Sequence, residues 1–238
     1  MQPDNVALVQ GIFELVLVLF SLSFHEAAHA WMASRLGDQT ARMLGRVTLD
    51  PMKHLDPIGT VLIPAIAIFG PLIGFGGFGR FLIGWAKPTP VQARNFAHFK
   101  RDSILTTLAG PVSNLILAAV AMILLLLVSH LVPGGSVAVH GIVLGVMDFN
   151  AGSFLSPLVM LLYLGIFVNL SLAVFNLLPF PPLDGSRILF FVIPTRFQAA
   201  YESMGIFSLI LMIAVGGRLV GFVLWPLLNV IRLALISL

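Results

Sequence analysis

The chain has 238 residues, 58% of them hydrophobic and only 10% charged, and it contains no cysteine. Soluble domains carry roughly 25% charged residues, so the composition excludes a soluble enzyme and points to a polytopic membrane protein. The lack of cysteine excludes disulfides and thiolate metal ligands, and the formal charge of +3 reads as the loop charges of a membrane protein in a lipid bilayer, with no nucleic-acid partner.

The first apolar window, Val6 to Met32, exceeds the roughly 18 to 20 residues that a spanning helix needs. Residues 1 to 5 carry no Lys or Arg, so this window reads as a retained helix and not as a signal peptide. Inside it stands His25-Glu26-Ala27-Ala28-His29. Ionisable groups at bilayer depth are costly and mark a functional site. In a helix, His25 and His29 lie one turn apart on the same face, so two imidazoles can converge on one ion. Glu26 is offset by about 100°, close enough to act on a water without being a ligand. That is the metalloprotease division of labour, with zinc as the expected ion.

Next comes a basic stretch in which Arg35, Arg42, Arg46, Lys53, Arg80, Lys87, Arg94, Lys100 and Arg101 all precede the next long apolar helix. The positive-inside rule places this stretch in the cytoplasm. The apolar, Gly- and Pro-rich segment Ile58 to Trp85 must then enter and leave on one side, as a re-entrant hairpin or a helix pair. Ala41 to Leu49 and Gly84 to Gln92 read either as strands of a membrane-associated hairpin or as ordinary loop.

Ile104 to Val132 is the second long window, and the loop from His130 to Ser156, without Lys or Arg, fits the opposite side. Leu155 to Leu178 crosses back, and Arg187 and Arg196 return to the cytoplasmic face. Met204 to Leu238 is long enough for two short spans turning at Gly216-Gly217-Arg218.

A third protein ligand is required. The extended motif H-E-x-x-H-x-x-G-x-x-H fails, because Met32 and Arg35 stand where Gly and His are needed. Of the acidic residues, Asp184 stands out: it ends Asn176-Leu-Leu-Pro-Phe-Pro-Pro-Leu-Asp184-Gly185, directly after an apolar helix. Three prolines stop that helix, so Asp184 either projects into the bundle as a ligand or sits in a loop just outside the membrane.

Taken together, His25-Glu-Ala-Ala-His29 and Asn176-Leu-Leu-Pro-Phe-Pro-Pro-Leu-Asp184-Gly185 resemble the two signatures of the site-2 protease family of intramembrane zinc metalloproteases, HExxH and NxxPxPxLDG. The resemblance runs from the first helix to the last core helix, in a minimal form without PDZ or C-terminal sensory domains. It implies that His25, His29 and Asp184 bind one zinc ion, that Glu26 is the catalytic base, and that Asn176 helps to hold substrate backbone. Asn114, in Ala109-Gly110-Pro111-Val112-Ser113-Asn114, is a weaker candidate, with helix packing as its alternative role.

The expected fold is therefore all-α and polytopic, one integral membrane protease domain over residues 1–238. It would have about five to six transmembrane helices, a three-helix catalytic core, a re-entrant segment and a short β-hairpin. The resemblance implies a transmembrane protein or peptide as substrate and a multi-pass location in the cell or plasma membrane, with the site towards the cytoplasm. Nothing in the sequence sets an oligomeric state. A membrane metal-ion transporter and a non-catalytic adaptor on the same scaffold are the competing readings. The lack of internal repeats speaks against the first and the intact Glu26 against the second.

Overall fold

The structure, a computed structural model, describes residues 3–73, 85–146 and 154–237. Its helices are α1 (Pro3–Arg35), α2 (Thr40–Met43), α3 (Ile63–Phe69), α4 (Phe99–Leu131), α5 (Gly135–Leu144), α6 (Leu155–Asn176), α7 (Asp184–Phe190), α8 (Thr195–Glu202), α9 (Gly205–Leu211) and α10 (Gly217–Ile236). Among the described residues, four helical stretches are long and apolar enough to cross a membrane: Val6–Arg35, Phe99–Leu131, Leu155–Asn176 and Ala214–Ile236.

The core is α1, α4 and α6, each packed on the other two. α6 is apolar around its whole circumference and lies innermost, whereas α1 turns Ile12, Val16 and Phe20 outward, as a helix facing lipid would. Contacts at successive depths show the directions. His25 and His29 of α1 meet Asn114 and Thr106 of α4, so these helices are antiparallel. Asn169 of α6 meets Asn114 while Gly165 faces Ala121, so α6 is antiparallel to α4 as well.

At one end, Leu125, Val139, Val143, Val159, Ile166 and Leu235 unite α4, α5, α6 and α10 in an apolar cluster. At the other end, Phe175, Leu178 and Leu183 pack on Val220 and Leu224 of α10. The second cluster is what positions the site, because it clamps the Pro-rich turn between α6 and α7. Tyr201 donates to the Pro179 carbonyl at 2.7 Å and Ser208 to the Pro181 carbonyl at 2.6 Å, bracing the same turn.

Two expectations change. The turn at Arg218 is absent: Gly216 (φ −54°, ψ −45°) and Gly217 (φ −60°, ψ −37°) are helical, and the chain runs through them into α10 as one span. In lipid every backbone N–H and C=O needs an internal partner, which outweighs the roughly 1 kcal/mol that a helical glycine costs. This places Arg232 at the end of the bundle away from Arg187, since the Ile236 carbonyl beside it accepts from His140 Nε2 in α5 at 3.0 Å. The expected five to six spans are accordingly four among the described residues.

The second change is the hairpin. The described residues contain no strand; Ala41 lies in α2, and Trp85 to Gln92 forms neither helix nor ladder. Gly84 lies outside the described residues. The physical reason is in the sequence, since Pro88 and Pro90 lack the N–H groups that a ladder needs.

Of Ile58 to Trp85, residues 74–84 lie outside the described part. Pro57–Ile73 is one helical run against α1, its Phe69 packed where a Cβ on Gly11 would approach to 2.6 Å. The two ends of the segment are tied at one level, because Thr60 donates to the Trp85 carbonyl at 2.7 Å. Entry and exit on the same side is what both expected forms require, a re-entrant hairpin and a helix pair alike.

The link after α1 is held by a fully buried carboxylate. Asp38 accepts from Thr40 N and Oγ1 at 3.1 and 2.5 Å, from Gln92 N at 2.7 Å and from Asn95 Nδ2 at 2.8 Å. Burial works to raise its pKa, but these donors prevail and hold the carboxyl below its ordinary value of 3.8. With the folded pKa lowered, the stabilisation is complete above pH 3.8 and is lost as pH falls through the folded value. Asp38→Ala should cost about 3 kcal/mol, because it orphans several donors at once, and should lower Tm at neutral pH by several degrees. An unchanged thermal melt would contradict this.

Candidate metal centre

α1 reaches its polar stretch about three turns before its end, where the interior must accommodate two imidazoles. His25 and His29 are buried, with ring centroids 4.7 Å apart and planes at 83°. His25 Nδ1 lies 2.6 Å from Asn114 Oδ1, and His29 Nδ1 lies 2.7 Å from the Thr106 carbonyl. Both partners are acceptors, so each imidazole carries its proton on Nδ1 and turns the Nε2 lone pair inward.

The inward atoms meet a carboxylate. Asp184 Oδ2 is 3.0 Å from His25 Nε2 and 3.3 Å from His29 Nε2, and the three residues offer ligand atoms all within 4.8 Å of one another. Three acceptors facing one another are repulsive until a cation or a proton stands between them. Tetrahedral zinc with bonds of about 2.0 to 2.1 Å separates its ligand atoms by about 3.3 Å, close to the 3.0 and 3.3 Å between Asp184 Oδ2 and the two nitrogens. The residues therefore fit the ion.

Local sequence explains the placement of each part. Asp184 begins α7, which folds back on the end of α6 so tightly that a Cβ on Gly185 would meet the Leu177 carbonyl oxygen at 2.1 Å. Only glycine permits that close approach, which is why the aspartate is followed by one. Opposite, a Cβ on Gly110 would lie 2.4 Å from His29 Nε2 and 2.6 Å from His25 Nε2. The backbone of α4 is thus the floor of the site.

Asn114 does more than pack helices. Its Nδ2 donates to Asn169 Oδ1 at 3.0 Å and to the Ser21 carbonyl at 3.3 Å, and Asn169 Nδ2 in turn donates to the Gly165 carbonyl at 2.9 Å. This chain fixes the orientation of the Asn114 amide and, through it, the His25 tautomer. Asn114→Leu should weaken zinc binding by roughly 10- to 100-fold in competition with a chelating dye; unchanged affinity would reduce Asn114 to packing. Asn169 and Gly110 went unnoticed as site residues in the sequence. An amide within the apolar α6 was the available signal for Asn169.

Glu26 is only partly buried, and its carboxylate meets Thr89. Thr89 N donates to its Oε2 at 2.8 Å, and Thr89 Oγ1 donates to its main-chain carbonyl at 3.0 Å. Asn176 ends α6 with its Nδ2 donating to the Leu172 carbonyl at 2.9 Å. His25, Glu26, His29, Thr89, Asn176 and Asp184 all line one cavity of about 690 Å³. Ser23 and Ser34 of α1 bond to their own helix, donating to the Leu19 and Trp31 carbonyls. Glu14 of α1 accepts from Gln10 Nε2 at 2.8 Å.

The chain matches the model of Peptidase family M50 over residues 13–216. A Bacillus subtilis protein named "Putative zinc metalloprotease YwhC" is 38% identical over 228 residues, which cover 94% of this chain and 89% of that protein. Proteins named "Putative zinc metalloprotease Rip2" from Mycolicibacterium smegmatis and Mycobacterium tuberculosis are 32% and 30% identical, over 74% of this chain and 56% of each relative. No solved structure matches. With a family match over most of its length and a relative this similar from end to end, the chain belongs to peptidase family M50, the site-2 protease family.

Proposed function

We propose that this metalloprotease cleaves a peptide bond within or near a transmembrane segment of a membrane-protein substrate. The supporting observation is the convergence of His25, His29 and Asp184, with Glu26 beside them, inside helices apolar enough to span a bilayer. A cavity of about 690 Å³ at that depth has room for water and a peptide bond that lipid would otherwise shield.

The two Nε2 atoms and an Asp184 oxygen would hold zinc, and the bound ion would supply a Lewis acid for the scissile carbonyl and for water, whose pKa it would lower towards about 7. Glu26 takes the proton of the attacking water and returns it to the leaving nitrogen. The C–N bond breaks to give a carboxylate and an amine. Asn176 spends one Nδ2 hydrogen on the Leu172 carbonyl, so its Oδ1 and its second amide hydrogen are the groups that meet substrate backbone. That contact needs an extended substrate, because a helical one has its N–H and C=O groups paired internally. The basic stretch from Arg35 to Arg101 adjoins this end of the bundle, which orients the site towards the cytoplasm of a cell membrane.

The test is reconstitution in liposomes with a model single-span substrate, zinc measured per chain, and the cut mapped by mass spectrometry. One zinc per chain and a cut inside the apolar segment are expected, lost with a chelator and restored by zinc. Cleavage confined to soluble loops would overturn the intramembrane reading.

A further inference from the structure

Thr89 lies between two prolines, in Lys87-Pro88-Thr89-Pro90-Val91. Each proline fixes its own φ near −65° and biases the residue before it to extended backbone, so Lys87 to Pro90 is set as an extended run by its sequence. Neither proline has an N–H, which leaves Thr89 the sole donor among residues 88 to 90. That donor meets Glu26 Oε2 at 2.8 Å, and the Thr89 hydroxyl holds the carbonyl of the same glutamate at 3.0 Å.

The run does not have the attachments of a lid. Trp85 O accepts from Thr60, Lys87 N donates to the His54 carbonyl at 2.8 Å, and Gln92 N and Asn95 Nδ2 donate to the buried Asp38. The backbone is therefore tied every few residues on both sides of Thr89, and Glu26 is held against a fixed wall. Glu26 Oε1 has no hydrogen bond among the described residues.

We propose that Thr89 is the positioning residue for Glu26: its main-chain N–H immobilises one carboxylate oxygen so that the other faces the attacking water. This rests on the hydrolytic reading of the site given above. A glutamate on one helix has three rotatable bonds, and a carboxylate misplaced by about 1 Å can cost on the order of 100-fold in rate. The roles divide by atom, the N–H acting on the side chain and the hydroxyl on the main chain of Glu26.

Two measurements on the full zinc-loaded chain test this. The first needs no turnover: in hydrogen exchange, fragments bounding Pro88 to Pro90 report a single amide, that of Thr89. It should exchange at least about tenfold more slowly in the wild type than in Glu26→Ala, the expected size for a bond to a charged acceptor. Equal exchange rates would overturn the contact. The second is kinetic. Thr89→Ser keeps both donors and should match the wild type, and Thr89→Val keeps the N–H and most of kcat. Thr89→Pro, which removes the N–H, should lower kcat about 10- to 100-fold with KM within about twofold and zinc at one per chain. Thr89→Pro with wild-type kcat, or Thr89→Val as impaired as Thr89→Pro, would overturn the assignment to the main-chain N–H. A wild type that binds zinc and protects the Thr89 amide yet cleaves nothing would instead defeat the hydrolytic reading.

Discussion

Glu26→Gln should retain one zinc per chain and lose cleavage by at least about 1,000-fold. The side chains have the same shape, and the glutamine carbonyl can still accept from Thr89 N, so the cavity wall stays where it is. The three converging ligand atoms belong to His25, His29 and Asp184, so metal content is not expected to move. What is lost is the proton acceptor alone. Cleavage by this variant at a tenth of the wild-type rate or better, in the same liposomes, would remove Glu26 as the base.

Gly110→Ala should empty the site while leaving the fold intact. The added Cβ would stand 2.4 and 2.6 Å from the two Nε2 atoms. Neither imidazole can retreat easily, because each is held from behind at Nδ1. Alanine is the better helix former by about 1 kcal/mol, so helix content should hold or rise as zinc falls from one per chain towards none. The combination of unchanged circular dichroism and lost metal separates this outcome from misfolding. Full zinc occupancy in Gly110→Ala would show that α4 is not the floor of the site.

Much of this centre could be read in the sequence because its chemistry is written in helical periodicity. His25 and His29 are one turn apart, and Asp184 follows a proline run that ends an apolar helix. The core helices were equally plain, since length and apolarity alone identify a span. The contacts that bear on these residues were not, for they join positions far apart in the chain. Thr89 and Glu26 are separated by 63 residues, and His25 and Asn114 by 89. Gly110 was a glycine beside a proline, a pattern that serves helix packing as readily as it serves a metal. Gly216-Gly217 read as a break because glycine is a strong breaker in water, whereas the demand for paired backbone groups in lipid keeps the helix whole.

Asn114 and Asn169 bear on a problem that apolar packing leaves open. In lipid, hydrocarbon side chains of α1, α4 and α6 are nearly as well solvated apart as together, so the apolar surfaces set the relative height of the three helices only weakly. The amide chain running from the Ser21 carbonyl and His25 through Asn114 to Asn169 joins all three at one depth. Sliding any one of them by a turn, about 5.4 Å, would leave buried amide or imidazole groups without partners. The same few polar atoms that orient a zinc ligand thus act as a vernier, giving helices that could slip past one another a single vertical alignment.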